Sequence, residues 1–476
     1  METTNNNKIN YNPFNSLSFI IVAIGLFLIP FNSWDGIPFL GEFSRQSCFI
    51  FFSLGFFIQV FEIIKRKKAI IPFRHPVFLL LTVLLLWFFI SYLINFLSIQ
   101  DYYIKQTSGN ERFIRQYGAL IISAVFFLLT YYNAFSNFPI SEVFKMIRKV
   151  FLISFIFVSI YTFIEIAIIY LNLKFLDPVL RLFDYFPFID VWLDYRNGRI
   201  SSVTFEPPAF ATYLITIAGW MFSYIITHKG IKSFIPGLLV VLFCFFSGSR
   251  AGLVIILFQL VVFLLYFIKR RKFHASLIKF GIIVFLLITP ILIIKGNTLS
   301  NYFAERLSSF SLDDSKHSYS NKSRFGIIYT SGLIFTENPI SGVGFGQQAF
   351  PASSLYPNWA TENNWEFDQK YLNNDVKSFP PGYNIYARLM AETGIIGFFI
   401  FFMFLLIIIY ICYQFIKPRY KFGWQALILL VSFTGFILNW LKADTFRIFG
   451  FWICLALLLL LTHNKIKIKH KKKING

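Results

Sequence analysis

Charge is scarce in this sequence and acid is scarcer still: 14% of its 476 residues are charged, and 23 acids face 44 bases. Soluble domains carry about 25% charged residues, so this chain lacks the means to cover a water-facing surface in the ordinary way. The four cysteines, Cys48, Cys244, Cys412 and Cys454, each lie alone within or at the edge of an apolar run, which excludes a disulfide framework and a paired zinc spacing. No Walker-type loop occurs. Gly342, Gly344 and Gly346 alternate without the GxGxxG spacing or the preceding strand of a dinucleotide site. Neither Asp-x-Asp nor a His/Cys ligand set appears among the hydrophilic links. No metal and no cofactor are therefore expected.

What is abundant is apolar and aromatic. Hydrophobic residues make up 56% and aromatics 20%, with 64 Phe, and the mean hydropathy is +0.63. At roughly 20 residues per crossing, spans are expected near 16–31, 48–64, 76–97, 117–132, 150–171, 209–227, 234–247, 251–268, 278–294, 395–416, 424–441 and 446–462. The expected fold is all-α: a polytopic membrane helical bundle of about 12 transmembrane helices, one domain over 1–476. A large external loop, 295–394, carries short helices that form a lid. The first apolar stretch has the length of a signal sequence, but no small-residue cleavage site follows it, so it reads as a retained first helix.

The net charge of +21 raises the question of nucleic acid, which the location of the charge answers. With a cytoplasmic N-terminus, the inner links collect KRKKAIIPFRH, KRRKFHASLIK, the lysine-rich tail and nine further bases, 25 of the 44 in all, against Glu2, Glu62 and Glu142 alone among the acids. This is the positive-inside bias, with the basic links touching anionic lipids. Nucleic acid is not needed as a partner. The implied location is a cytoplasmic membrane, with both termini inside.

The polar outer residues are then where a site is to be sought, because charge at a bilayer face is costly unless matched. Glu165, inside the fifth span, should be neutral, paired or facing a wet cavity. Glu206 directly precedes Pro207-Pro208 at a helix entrance, with Arg196 and Arg199 upstream. SGSRAG places Arg250 at a tight turn opening the next helix, a geometry suited to phosphate, though a snorkelling interfacial arginine has the same sequence. Arg324 opens an aliphatic stretch too short to cross comfortably, read as an interfacial or re-entrant helix. Tyr383 follows Pro380-Pro381, and Arg388 sits four residues before Glu392, the spacing of an ordinary helical ion pair. Arg447 lies in the last outer link. Arginines sharing one chamber repel each other unless an anion joins them, and a lipid-borne diphosphate fits both charge and setting. Of the six histidines only His317 falls outside on this topology, so a carboxylate is the candidate general base: Glu206 first, Glu392 second.

At FEPPAFATYL, SGSRAG, SRFGIIYTSGLIFTENPISGVGFG and NIYARLMAETGIIGFF the chain resembles the O-antigen polymerase and ligase superfamily. The resemblance implies a fold like the GT-C-type lipid-linked glycan transferases. It also implies an inverting, metal-independent glycosyl transfer from an undecaprenyl-diphosphate-linked oligosaccharide to a second lipid-linked unit, with a chain-length regulator protein as partner. On that resemblance Arg250 and Arg324 hold the diphosphate. The residues themselves add Arg199 or Arg447 as assistants and Glu206, Glu392 and Tyr383 as the catalytic candidates. Ligases of the superfamily carry His-Asn ahead of the re-entering helix; here the pair is Tyr383-Asn384, a departure that favours the Wzy-type polymerase. An O-antigen ligase and a lipid-linked oligosaccharide flippase or transporter remain the alternatives. A transporter would call for internal repeats and midplane polar groups, and neither is evident.

Overall fold

Long apolar runs in lipid must satisfy every backbone N–H and C=O internally, so they fold as helices. The computed structural model describes residues 17–66, 70–268, 318–417 and 422–474. Its longer helices, in chain order, are α1 (Leu17–Phe27), α2 (Ser47–Arg66), α3 (Pro76–Ile94), α4 (Gly109–Ser136), α5 (Ile140–Leu171) and α6 (Pro207–Phe222). They continue as α7 (Ile235–Phe246), α8 (Arg250–Ile268), α9 (Ser318–Glu337), α10 (Ile385–Ile416), α11 (Gly423–Asn439) and α12 (Phe449–Ile474). Among the described residues, six helical stretches are long and apolar enough to cross a membrane, and five shorter apolar helices lie at other expected spans. The expected span at 278–294, the basic link at 269–279 and the 295–317 portion of the large loop lie outside the described residues. The chain is a polytopic helical membrane protein.

Burial sorts the helices. In α6, 78% of the apolar stretch is buried against 28% in α2, so α6 is central and α2 peripheral. Outer faces keep their apolar side chains exposed, as Phe57, Leu86, Ile153 and Phe399 do, which is how a lipid-facing surface reads. Close approach holds the centre together. A Cβ on Gly219 of α6 would stand 2.9 Å from the carbonyl oxygen of Ile428 in α11, so only glycine permits that contact. Phenylalanine fills the rest: Phe52 meets Tyr131 at 5.0 Å and Phe449 at 5.4 Å between ring centroids, and Trp440 meets Phe451 at 4.9 Å.

The alternating glycines have a structural explanation. Helix α10 breaks at Gly394, where φ is +64°. The 339–344 loop pairs with the break: Val343 N–H donates to Ala391 O at 3.0 Å, Gly344 N–H to Glu392 O at 2.9 Å, and Ile395 N–H to Pro339 O at 2.8 Å. Gly342 and Gly344 take positive φ there. Side chains of α3 and α4 add to the clasp. Ser91 Oγ donates to Ser341 O, Asn95 Nδ2 to Gly342 O and Arg112 Nε to Gly346 O, between 2.7 and 3.0 Å. Further along, the buried Lys105 ammonium donates to the carbonyls of Lys370, Asn373 and Val376 at 2.6 to 2.9 Å.

Candidate functional site

The segment entering α6 is positioned from below. Glu165, fully buried in α5, accepts from the backbone N–H groups of Ser201 (3.1 Å) and Ser202 (2.8 Å). It is paired and does not line the cavity described next, so its role is to anchor the loop. Asn32 Oδ1 accepts from Phe205 N–H at 3.1 Å, and Arg199 Nε donates to Ser247 O at 3.3 Å. These ties bring 199–206 against the turn at Ser247–Arg250. In that turn Gly248 takes φ +65°, and Ser249 Oγ accepts from Gly252 N–H at the start of α8.

Between these pieces lies a cavity of about 720 Å3. Arg199, Glu206, Arg250, Arg324, Tyr383 and Arg447 all line it. Residues from five separate parts of the sequence therefore converge on one basin, with the entrances of α6 and α8, and their partial positive charge, at its edge. Arg324 sits in the second turn of α9, a helix of 20 residues rather than the short stretch expected. Its guanidinium carbon lies 5.3 Å from the centre of the Tyr383 ring, and among the described residues it has no ion pair. The Tyr383 hydroxyl lies 2.7 Å from that of Tyr371. Burial raises the pKa of both phenols, so each stays an O–H donor. Arg447 is braced by Glu42 Oε2 at 2.7 Å and by Thr445 Oγ1 at 2.9 Å.

Glu206 caps the entrance of α6 through its backbone alone; its side chain makes no capping bond. It is exposed where it meets the cavity, yet the surrounding protein raises its pKa by desolvation, with Arg199, Lys442, Arg324 and Arg45 pulling the other way. Glu392 is elsewhere. It is fully buried, 3.0 Å from Arg388 Nε, and Arg388 in turn donates to Asp444 O at 2.8 Å. The helical pair foreseen from the spacing is thus formed, outside the cavity lining. Arg196 is exposed and does not line it either. Asn384 caps α10, its Oδ1 accepting from the N–H groups of Tyr386 and Ala387.

Sequence reasoning passed over Lys442, Lys370, Glu366 and Asn439, which also line the cavity. The Lys442 ammonium is buried without a hydrogen-bond partner, as are Asn439 Oδ1 and Glu366 Oε2. Burial pushes the Lys442 pKa down from 10.5 to about 8, with Arg324 and Arg199 adding to the fall and Cys244 and Glu206 opposing it. The signal was present as the second cation of the last link, but a charge at the edge of an apolar span has the same sequence signature when it only marks the interface. In all, six cationic side chains, Arg199, Arg250, Arg324, Lys370, Lys442 and Arg447, face three carboxylates, Glu206, Glu366 and Asp444. The basin therefore carries an excess of positive charge, and at least one of its cations, Lys442, is buried without a hydrogen-bond partner. Among the described residues no three His, Cys, Asp or Glu side chains gather closely enough to hold a metal ion.

Residues 235–402 match the family described as O-antigen ligase, a stretch running from α7 into α10 that contains Arg250, Arg324, Tyr383 and Glu392. Glu206, Arg199, Lys442 and Arg447 reach the cavity from outside the match. No curated protein matches the chain in sequence. Over residues 235–402, its site-forming centre, this polytopic helical chain carries a domain of the O-antigen polymerase and ligase superfamily.

Proposed function

We propose that the protein is a glycosyltransferase that polymerises undecaprenyl-diphosphate-linked repeat units of O-antigen or capsular polysaccharide at the outer face of the cytoplasmic membrane. The observation that carries this reading is the excess of cations around one basin at the edge of a membrane scaffold. Arg250 and Arg324, with Arg199 and Lys442 beside them, grip the donor's diphosphate. Charge builds on the bridging oxygen as the anomeric C–O bond breaks, and preorganised cations stabilise it there. Glu206 takes the proton from the acceptor hydroxyl as its oxygen bonds to the anomeric carbon. The bond electrons leave with undecaprenyl diphosphate, and attack from the opposite face inverts the configuration.

Polymerase is favoured over ligase by the local chemistry at Tyr383. Ligases of the superfamily carry a histidine there, whereas this phenol shares a hydrogen bond with Tyr371 and holds its proton. A base must then come from another residue, and Glu206 is the cavity carboxylate at a helix entrance. The test is incubation of the purified chain with its lipid-linked repeat unit. A ladder of products is expected from the wild type, and loss of about 10²–10³ in rate from Arg324→Ala. An unchanged ladder in both Arg250→Ala and Arg324→Ala would overturn the reading.

A further inference from the structure

A second cavity, about 530 Å3, adjoins the first. Pro381, Asp444, Thr445 and Arg447 line both, so a single layer of side chains divides them. The second lining adds the cations Arg112, Arg115, Lys377 and Arg388, and Glu42 as the carboxylate it does not share. Two of its cations are already matched: Arg388 by Glu392 and Asp444, and Arg447 by Glu42. The others are not. Arg112 donates through Nε to the neutral carbonyl of Gly346 at 2.7 Å and stacks its guanidinium on Phe379 at 3.7 Å. Arg115 Nε lies 3.4 Å from the same Glu42 that serves Arg447, and this buried atom makes no hydrogen bond. Lys377 is exposed and has no ion pair among the described residues. A guanidinium pinned on a ring and a carbonyl loses little freedom when an anion arrives.

We propose that this second chamber binds an oxyanionic group carried on the acceptor glycan, either a sugar carboxylate or a phosphate on the chain. The shared wall brings the two bound groups into adjacent positions, as joining two glycans requires. That the occupant is an acceptor rests on the glycan-transfer reading of the first cavity; that the chamber takes an oxyanion rests on its own unmatched cations. The acceptor is thus selected for its acid as well as its hydroxyl.

The experiment titrates the purified full chain in detergent with three tagged oligosaccharides: one containing glucuronate, one carrying a phosphate, and a neutral glucose counterpart. An acidic probe is expected to bind about tenfold more tightly than the neutral one, with a preference that shrinks as salt rises. Arg115→Gln and Lys377→Gln should each remove most of that preference, and the exposed Lys377 makes the second variant safe for folding. Arg324→Ala, in the first cavity, should leave it intact. Whichever acid shows the preference identifies the source of the charge. Equal affinity for acidic and neutral probes, or a preference untouched in both variants, overturns the proposal. A preference that persists in a protein unable to extend its lipid-linked unit upholds the chamber and removes the reading of the first cavity instead.

Discussion

Replacing Lys442 by methionine should make the protein more stable and less competent at the same time. The Lys442 ammonium is buried without a hydrogen bond, and its pKa falls from 10.5 to about 8. Each pKa unit is about 1.4 kcal/mol, so the folded chain forgoes about 3 kcal/mol by keeping this amine charged, an upper figure because water in the cavity screens part of it. The folded pKa is below the unfolded one, so the unfolded chain binds the proton more tightly. The penalty is therefore complete below pH 8, shrinks between pH 8 and 10.5, and vanishes above. Lys442→Met should raise the unfolding temperature at pH 7 and lose that advantage near pH 10.5. Its affinity for inorganic diphosphate at pH 7 should drop about tenfold, the worth of one charge-assisted contact. Wild-type affinity should weaken as the pH climbs through 8 and beyond, while the variant stays flat across that limb. Thermal unfolding with and without diphosphate, at both pH values, measures all of this. A variant less stable than wild type at pH 7, or one that binds diphosphate equally well, would refute the reasoning.

Other perturbations separate chemistry from scaffold. Glu206→Gln should slow chain extension by about 10²-fold or more. Because desolvation raises the Glu206 pKa, wild-type extension should fall as the pH drops through that raised value, and the variant's pH-rate profile should lack this acid limb. Glu392→Ala leaves the buried Arg388 with Asp444, 3.7 Å away, as its one carboxylate among the described residues and should cost about 3 kcal/mol in denaturant unfolding; the Arg388→Leu, Glu392→Leu double variant should recover most of it. Gly394→Ala meets both a φ of +64° and the carbonyl oxygen of Ile340, 2.1 Å from the added Cβ, so it should destabilise by more than about 1 kcal/mol.

The helical scaffold was legible because lipid leaves a chain few options, and every expected span that falls among the described residues coincides with an apolar helix. The arginines were legible for a related reason: an unneutralised cation between apolar runs stands out where charge is otherwise rare. What sequence could not separate was pairing from service. Arg388 with Glu392, and Arg324 with Tyr383, are equally plausible as motif residues, yet the first two complete a buried ion pair and the second two face the basin. Lys442 was hidden because its distinction, an ammonium without a partner, is a property of the tertiary packing alone. The alternating glycines lack a dinucleotide fingerprint in the sequence, and the fold shows what they permit, backbone pairing with a broken helix.

That pairing has a consequence for how substrate arrives. The long excursion between α9 and α10 is buckled at its start to α10 and to side chains at α3 and α4, and held by Lys105 in its second half. A strap fastened at so many points does not swing open like a hinged flap. Under the function proposed above, a carrier with its tail dissolved in the bilayer would reach the basin sideways, in the plane of the membrane, without any need for the strap to move.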